Sequence, residues 1–307
     1  MHVPAIIDQA ETARRLPFPA LIAALRAGFI AGANAPLRHR HDLAEAGGTL
    51  LLMPAWRGGA TMGVKIVTVF PENGKRGLNA VSSTYLLCDG QTGQHLAVID
   101  GNELTARRTA AASALAGDYL ARHDARHLLV VGSGHVASML PGAWAAVRPI
   151  DTVTIWNIRP EGAERLAASL RGQGFNAMAA TDLQAGVGVA DIVSCATLAA
   201  EPLIAGQWLR PGMHLDLIGA YRPDMREADT DAIRRGRVFI DTDAALAEAG
   251  DLTQAAPIQV QGSLFTLCRG ENPGRQNADE ITVFKSVGSA IEDLAAAGVV
   301  YQPPAQP

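Results

Sequence analysis

Apolar and polar positions follow two different patterns along the chain. In Pro19–Ile30 (PALIAALRAGFI), Leu21, Ile22, Leu25 and Phe29 recur at helical spacing, and residues 1–32 read as helical throughout. From Thr49 the pattern turns strand-like. Thr49–Met53, Gly63–Phe70 and Val81–Cys88 are apolar runs, the second rich in β-branched residues. Asp89-Gly90-Gln91-Thr92-Gly93 then turns the chain into His95–Asp100, which completes an antiparallel hairpin. An Ala-rich helix follows to about Leu120, with Thr105 as its N-cap, and its small residues from Ala110 to Ala116 admit neighbouring backbone closely.

From His127 onward short strands and helices alternate, the order of a parallel α/β sheet with right-handed crossovers. Strands are predicted at 127–131, 152–156, 177–178, 192–195, 214–218 and 238–241. Helices are predicted from about 135, over 161–171, 182–187 and 227–235. Ile281–Ala297 reads as a strand, a glycine turn and a last helix, and the tail QPPAQP is expected to fray. The change of pattern separates residues 1–120 from residues 121–288 and leaves a C-terminal helix over 289–307.

Composition narrows the class. With 307 residues, 48% hydrophobic and 18% charged, the chain is globular and has length for two cores. The formal net charge of -4 argues against a nucleic-acid or anionic-membrane surface. No apolar run is long enough to span a bilayer, and the N-terminus lacks the basic-then-apolar order of a signal peptide. Cys88, Cys195 and Cys268 fit neither a disulfide framework nor a zinc motif and read as reduced thiols in a cytoplasmic protein. The His39/His41 pair lies in a short basic loop that offers no complete ligand set, so no metal is expected.

Three features bear on chemistry. The first is His127–Ala137, HLLVVGSGHVA, in which an apolar strand runs straight into Gly132-Ser133-Gly134 and a helix. This is the G-x-G-x-x-A form of the dinucleotide fingerprint. Gly132 permits the turn, Gly134 admits a pyrophosphate, Ala137 lets helix and strand pack closely, and the helix N-terminus offers free N–H groups. The following strand ends in Asn157 and Arg159, roughly 20 residues beyond Gly134, with no carboxylate for a ribose diol. An amide and a guanidinium there favour NADP(H), with NAD(H) left open. The second feature is Lys65, a cation within a dense apolar strand, either on a solvated face or held in a cleft for an anion. The third is Arg107-Arg108 in the first turn of its helix, where the dipole disfavours cations, so at least one needs an anionic partner. The basic segment Pro36–His41 reads as a solvated loop.

Together, Lys65 in GVKIVTVF, AVIDGNELTARRTAAASALA (97–116), VVGSGHVA, IWN (155–157), ATLAAEPLI (196–204), GAYRPDMRE (219–227) and ITVFKSVGSAIEDLAAA (281–297) resemble the ornithine cyclodeaminase/mu-crystallin family. The resemblance spans nearly the whole chain and keeps the order of the blocks. It implies an α/β fold in which a Rossmann dinucleotide-binding domain (121–288) is joined to an α/β dimerisation and substrate domain (1–120) that the C-terminal helix, 289–307, completes, assembled as a homodimer. It implies that Arg38, Lys65 and Arg108 bind the substrate carboxylate, with Lys65 catalytic. For the cofactor it implies Gly132, Gly134, His135, Val136, Asn157, Arg159, Thr197, Ala220, Lys285 and Ser286, with Arg108 alongside.

The chain departs from the family pattern at three places. Val136 stands where the glycine loop commonly has Gln, and Ile158 stands where Arg usually follows Asn157. Tyr221 occupies the position where ornithine cyclodeaminases carry an acidic residue. A phenol, with an ordinary pKa of about 10, is no substitute for a carboxylate base near neutral pH. The resemblance therefore points to the ketimine reductase branch: NAD(P)H-dependent reduction of cyclic α-imino carboxylates such as Δ1-pyrroline-2-carboxylate or Δ1-piperideine-2-carboxylate. The alternatives are ornithine cyclodeamination, an alanine-type amino-acid dehydrogenase, and a mu-crystallin-like ligand-binding protein.

Overall fold

The computed structural model describes residues 3–301, so the tail QPPAQP lies outside the described residues. The chain divides into two compact units, residues 1–108 with 289–307, and residues 109–288.

The first unit holds β1 (Ala5–Ile7), α1 (Gln9–Arg15), α2 (Phe18–Ala31), β2 (His39–Leu43), β3 (Gly48–Arg57), β4 (Thr61–Val69), β5 (Val81–Asp89) and β6 (His95–Asp100). It also holds the start of α3 (Gly101–Leu120) and the C-terminal helix Ala290–Val300. Its six strands form one sheet in the order β1-β6-β5-β4-β3-β2, antiparallel except for the β1–β6 pair. Side chains alternate across this sheet with period two. Met53, Lys65, Tyr85 and Ile99 form one cross-strand row on the inner face, all buried. The C-terminal helix packs on this sheet and against α2, where Gly28 lets Ala295 approach.

The second unit carries β7 (His127–Val131), α4 (His135–Ala145), β8 (Thr152–Trp156), α5 (Pro160–Gly172), β9 (Ala177–Ala179), α6 (Leu183–Val189) and β10 (Ile192–Cys195). These are followed by β11 (His214–Leu217), α7 (Thr230–Arg235), β12 (Arg237–Ile240), β13 (Val260–Ser263) and β14 (Thr282–Lys285). The sheet is eight-stranded and wholly parallel, in the order β13-β12-β14-β11-β10-β7-β8-β9. Helices cover such sheets on both faces, which is why β7 and β10 are apolar and buried almost throughout. The chain winds outward from β7 to β9 and then restarts at β10 on the other side of β7. The order reverses between β7 and β10, the switch point at which such sheets bind ligands.

Several local expectations are corrected. Ala5–Ile7, inside the segment read as helical, is a strand, because it pairs with the distant β6. His39–Leu43, read as a loop, is an edge strand whose residues are all exposed, so no apolar alternation announces it. Helix α3 starts at Gly101, and Asp100 Oδ1 accepts from Glu103 N at 2.8 Å, the capping role assigned to Thr105. Arg107 and Arg108 thus sit in the second turn. Helix α7 starts at Thr230, capped by Asp229, so Glu227 lies in the preceding loop. The boundary between the two compact units falls between Arg108 and Thr109, within α3. From Thr109 on, α3 packs within the second unit: Ser113 bonds to Asp216, and Gly117 faces the Trp144 ring. No helix among the described residues is long and apolar enough to cross a membrane.

Candidate active site

In the first unit, the alternation of β4 turns Gly63, Lys65 and Val67 inward, so Lys65 is not on a solvated face. It is 2% exposed, and its Nζ lies 2.9 Å from both carboxylate oxygens of Asp293. Arg108, on α3, donates from Nε to Asp293 at 2.9 Å and from Nη1 to Glu292 at 2.7 Å. Ser289 Oγ donates to Glu292 Oε1 at 3.2 Å. Both acids stand in the first turn of the C-terminal helix, where the dipole favours negative charge. The Nη2 edge of Arg108 makes no hydrogen bond among the described residues. Arg38 is half-buried in the segment entering β2, near enough for its charge to act on Lys65. Arg107 instead pairs with Glu103 at 2.6 Å and lies over the Phe18 ring, a structural role.

Burial and the Arg108 charge lower the Lys65 ammonium to about 8, with Asp293 opposing them. Burial alone would raise the Asp293 carboxyl, but Lys65 and Arg108 outweigh it and hold the acid below its ordinary range. A buried lysine lowered to about 8, beside a guanidinium with unspent donors, can both grip a carboxylate and deliver a proton.

In the second unit, β7 ends in the glycine turn. Gly132 has φ 117°, and a side chain there would press on the Ala196 carbonyl, so the chain itself requires glycine. Gly134, the N-cap of α4, has ordinary φ, and a Cβ there would meet nothing within 4 Å. That open space lies before the helix N-terminus, which fits a pyrophosphate. His135 is exposed and Val136 half-buried in the first turn of α4. Beyond β8, Asn157 Nδ2 donates to the Arg159 carbonyl at 2.9 Å, and exposed Arg159 stands just before α5 with no side-chain bond to the helix. Gly162 leaves room for the Ser133 and Asn157 side chains, which draws the glycine turn and the end of β8 together.

Thr197 follows β10, and its N–H and hydroxyl both donate to Glu227 Oε1 at 2.8 Å. Three further expected cofactor residues are each bonded to a buried acid. Ala220 is fully buried and gives its N–H to Glu227 at 3.1 Å. Lys285 is fully buried, with Nζ 2.9 Å from Asp251 and 3.8 Å from Glu227. Ser286 donates to Asp241 at 2.8 Å, so its hydroxyl steadies the turn after β14. Each is engaged by a buried acid, and these acids supply the hydrogen bonds and charges that enclosed polar groups need.

Local sequence pattern assigns no role to Glu227, Asp251, Asp241, Glu292 or Asp293. The available signal was acidic residues within apolar stretches, as in IEDLAAA, which also reads as ordinary charge in a helix's first turn. Tyr221 is half-buried against the core of the parallel sheet, and Asp224 is exposed and paired with Arg222.

The sequence profile of the ornithine cyclodeaminase/mu-crystallin family matches residues 6–305. A Δ1-pyrroline-2-carboxylate reductase of Paracoccus denitrificans is 40% identical over 309 residues, covering 97% of this chain and 96% of its own. Among solved structures, the Δ1-pyrroline-2-carboxylate reductase of Thermococcus litoralis, in complex with NADH and L-proline, superposes with a TM-score of 0.92 at 31% identity, covering 96% of each chain. An archaeal alanine dehydrogenase dimer with bound NAD gives 0.90 at 27% identity, covering 97% of this chain and 94% of its own. With nearly its whole length matched in sequence and in fold, the chain belongs to the ornithine cyclodeaminase/mu-crystallin family.

Proposed function

We propose that the protein reduces cyclic α-imino carboxylates of the Δ1-pyrroline-2-carboxylate type to cyclic amino acids, using a nicotinamide dinucleotide. The observation that carries this reading is the buried Lys65–Asp293–Arg108 cluster with its open guanidinium edge. Arg108, through Nη2, and Arg38 grip the substrate carboxylate, since a guanidinium matches it bidentately. Lys65 orients the ring and protonates the imine nitrogen, directly or through water, because an iminium accepts hydride better than a neutral imine. The bound dinucleotide supplies the hydride to the imine carbon. Asp293 holds the lysine in place and stabilises its ammonium.

Gly134, the first turn of α4 and Thr197, at the C-terminal edge of the parallel sheet, would hold the dinucleotide through its pyrophosphate. Arg159 would meet a 2′-phosphate, which favours NADPH. The fit rests on the open space at Gly134 and the absence of a carboxylate after β8. The active form is a homodimer. The outer face of the six-stranded sheet is apolar and uncovered, with Trp56, Met62 and Ile66 exposed, and this is the face that pairs with a second copy. Cys88, Cys195 and Cys268 are buried free thiols, in keeping with a reducing cytoplasm.

The test is a panel of cyclic imines, and of keto acids with amines, assayed with NADPH and with NADH. Oxidation of reduced dinucleotide by Δ1-pyrroline-2-carboxylate at mildly acidic pH is expected. No turnover with any cyclic imine, together with ammonia release from ornithine, would overturn the reading.

A further inference from the structure

Glu227 is fully buried in the loop before α7 and gathers donors from two other loops. Its Oε1 accepts from Thr197 N and Oγ1, both at 2.8 Å, and its Oε2 from Gly219 N at 2.9 Å and Ala220 N at 3.1 Å. Thr197 follows β10 and Gly219-Ala220 follow β11, so one carboxylate ties together two adjacent strand ends. It is itself held from behind. Asp251 accepts from Glu227 N at 2.8 Å and from Ala228 N at 3.0 Å, and Lys285 Nζ stands between the two acids. A side chain at position 219 would collide with Thr197 O and Glu227, so the approach of the two loops requires glycine.

The consequence lies in the opposite direction. These peptides are trans, and a planar trans peptide points its C=O opposite to its N–H. With the N–H groups of Gly219 and Ala220 turned in to Glu227, the Ile218 and Gly219 carbonyls are turned away from it. Neither carbonyl accepts a hydrogen bond from another described residue. The same logic holds one loop away, where the inward Thr197 N–H sends the Ala196 carbonyl against Gly132. The pyrophosphate turn lies beside β7, and the β7–β9 half ends in Asn157 and Arg159, where the adenosine ribose belongs. The second nucleotide half then lies over β10 and β11.

We infer that Glu227 is a positioning residue: it orients the Ile218-Gly219 carbonyls as acceptors for the N–H₂ of the cofactor's nicotinamide carboxamide. Asp251 and Lys285 fix Glu227 in turn. The inference rests on the reading that a nicotinamide dinucleotide binds at this edge.

The test compares binding of NADH with that of its 3-acetylpyridine analogue, which keeps the carbonyl and shape of the carboxamide but lacks its N–H donors. Dissociation constants are measured without substrate for the wild type, Glu227→Gln and Glu227→Asp. Gln replaces one acceptor oxygen with a donor, and Asp withdraws the carboxylate by one methylene. The wild type is expected to prefer NADH about 10-fold, the worth of a directed hydrogen bond, and both variants to reduce that ratio to within about 2-fold. A merely structural role would weaken both dinucleotides alike and leave the ratio unchanged, and that result would overturn the inference. If Glu227→Gln does not fold, Glu227→Asp decides it alone. Wild-type protein that binds neither dinucleotide would overturn the cofactor reading, and this inference with it. Wild-type binding of NADH with an unchanged ratio in the variants would overturn this inference only.

Discussion

Lys65 Nζ sits 2.9 Å from both oxygens of Asp293, a residue 228 positions away in the chain. Strand β4 supplies the lysine and the C-terminal helix supplies the acid, and the helix's place on the sheet joins them. The same acid holds Arg108, so one carboxylate positions both cations and favours the charged form of the lysine.

The Lys65 proton gives the first prediction. The buried ammonium is lowered from its ordinary value to about 8, so it is protonated below that pH and loses the proton above it. kcat/KM for imine reduction should therefore fall about tenfold per pH unit on the alkaline side of about 8. In Lys65→Met this limb should vanish and the rate should drop by about 10²–10⁴. A pH–rate profile of both proteins checks it, and an unchanged alkaline limb in the variant would exclude Lys65 as the acid.

Asp293→Asn removes the charge that opposes burial at Lys65, so the alkaline limb should move toward lower pH. It also leaves Lys65 without its counter-ion, at a cost of roughly 3–5 kcal/mol. Thermal unfolding alongside the pH profile separates the two effects. A loss of stability with the limb unmoved would assign Asp293 to structure alone.

Arg159 is expected to read the 2′-phosphate. Arg159→Ala should raise KM for NADPH about tenfold, the value of a charge-assisted hydrogen bond of about 1.5 kcal/mol, and leave KM for NADH within about twofold. Steady-state kinetics with each dinucleotide decides it. Equal effects on both would remove Arg159 from the choice of cofactor.

Pairing through the outer sheet face predicts that one charge placed there separates the subunits. Ile66 is exposed at the centre of that face, between Leu52 and Thr84. Ile66→Glu should halve the mass measured by light scattering while the circular dichroism spectrum is kept. A variant that remains a dimer would move the interface elsewhere.

Arg148 offers a prediction on stability alone. It is buried, and its Nη2 donates to the carbonyls of Gly117, Asp118 and Ala121 at 2.8, 2.8 and 3.0 Å, closing the C-terminus of α3. Its Nη1 pairs with Asp118 at 2.9 Å. Arg148→Ala should cost about 3 kcal/mol and lower Tm by roughly 5–10 °C. A change of less than about 1 °C would show that water replaces these bonds fully.

Much of the molecule was legible before any coordinates. The parallel sheet, its glycine turn and the long strands of the first unit follow from local patterns: short buried apolar runs, period-two alternation, and glycines at fixed offsets. The fold class and the family follow from the order of these blocks. The short or exposed strands were not legible. β1 is three residues long and exists through pairing with β6, and β2 has no buried residue to mark it.

The sequence by itself determined that Lys65 and Arg108 are cations in unfavourable places, one in an apolar strand and one near a helix N-terminus, and so need partners. Only the tertiary structure decided which partners. It chose Asp293 and Glu292 for these cations, Asp251 and Glu227 for Lys285, and Asp241 for Ser286. The reason is physical. Local propensity and periodicity act over a few residues, whereas a buried charge is stabilised by whichever opposite charge the packing of distant elements brings within about 3 Å. A carboxylate in a helix's first turn reads the same in sequence whether it faces water or closes an active site.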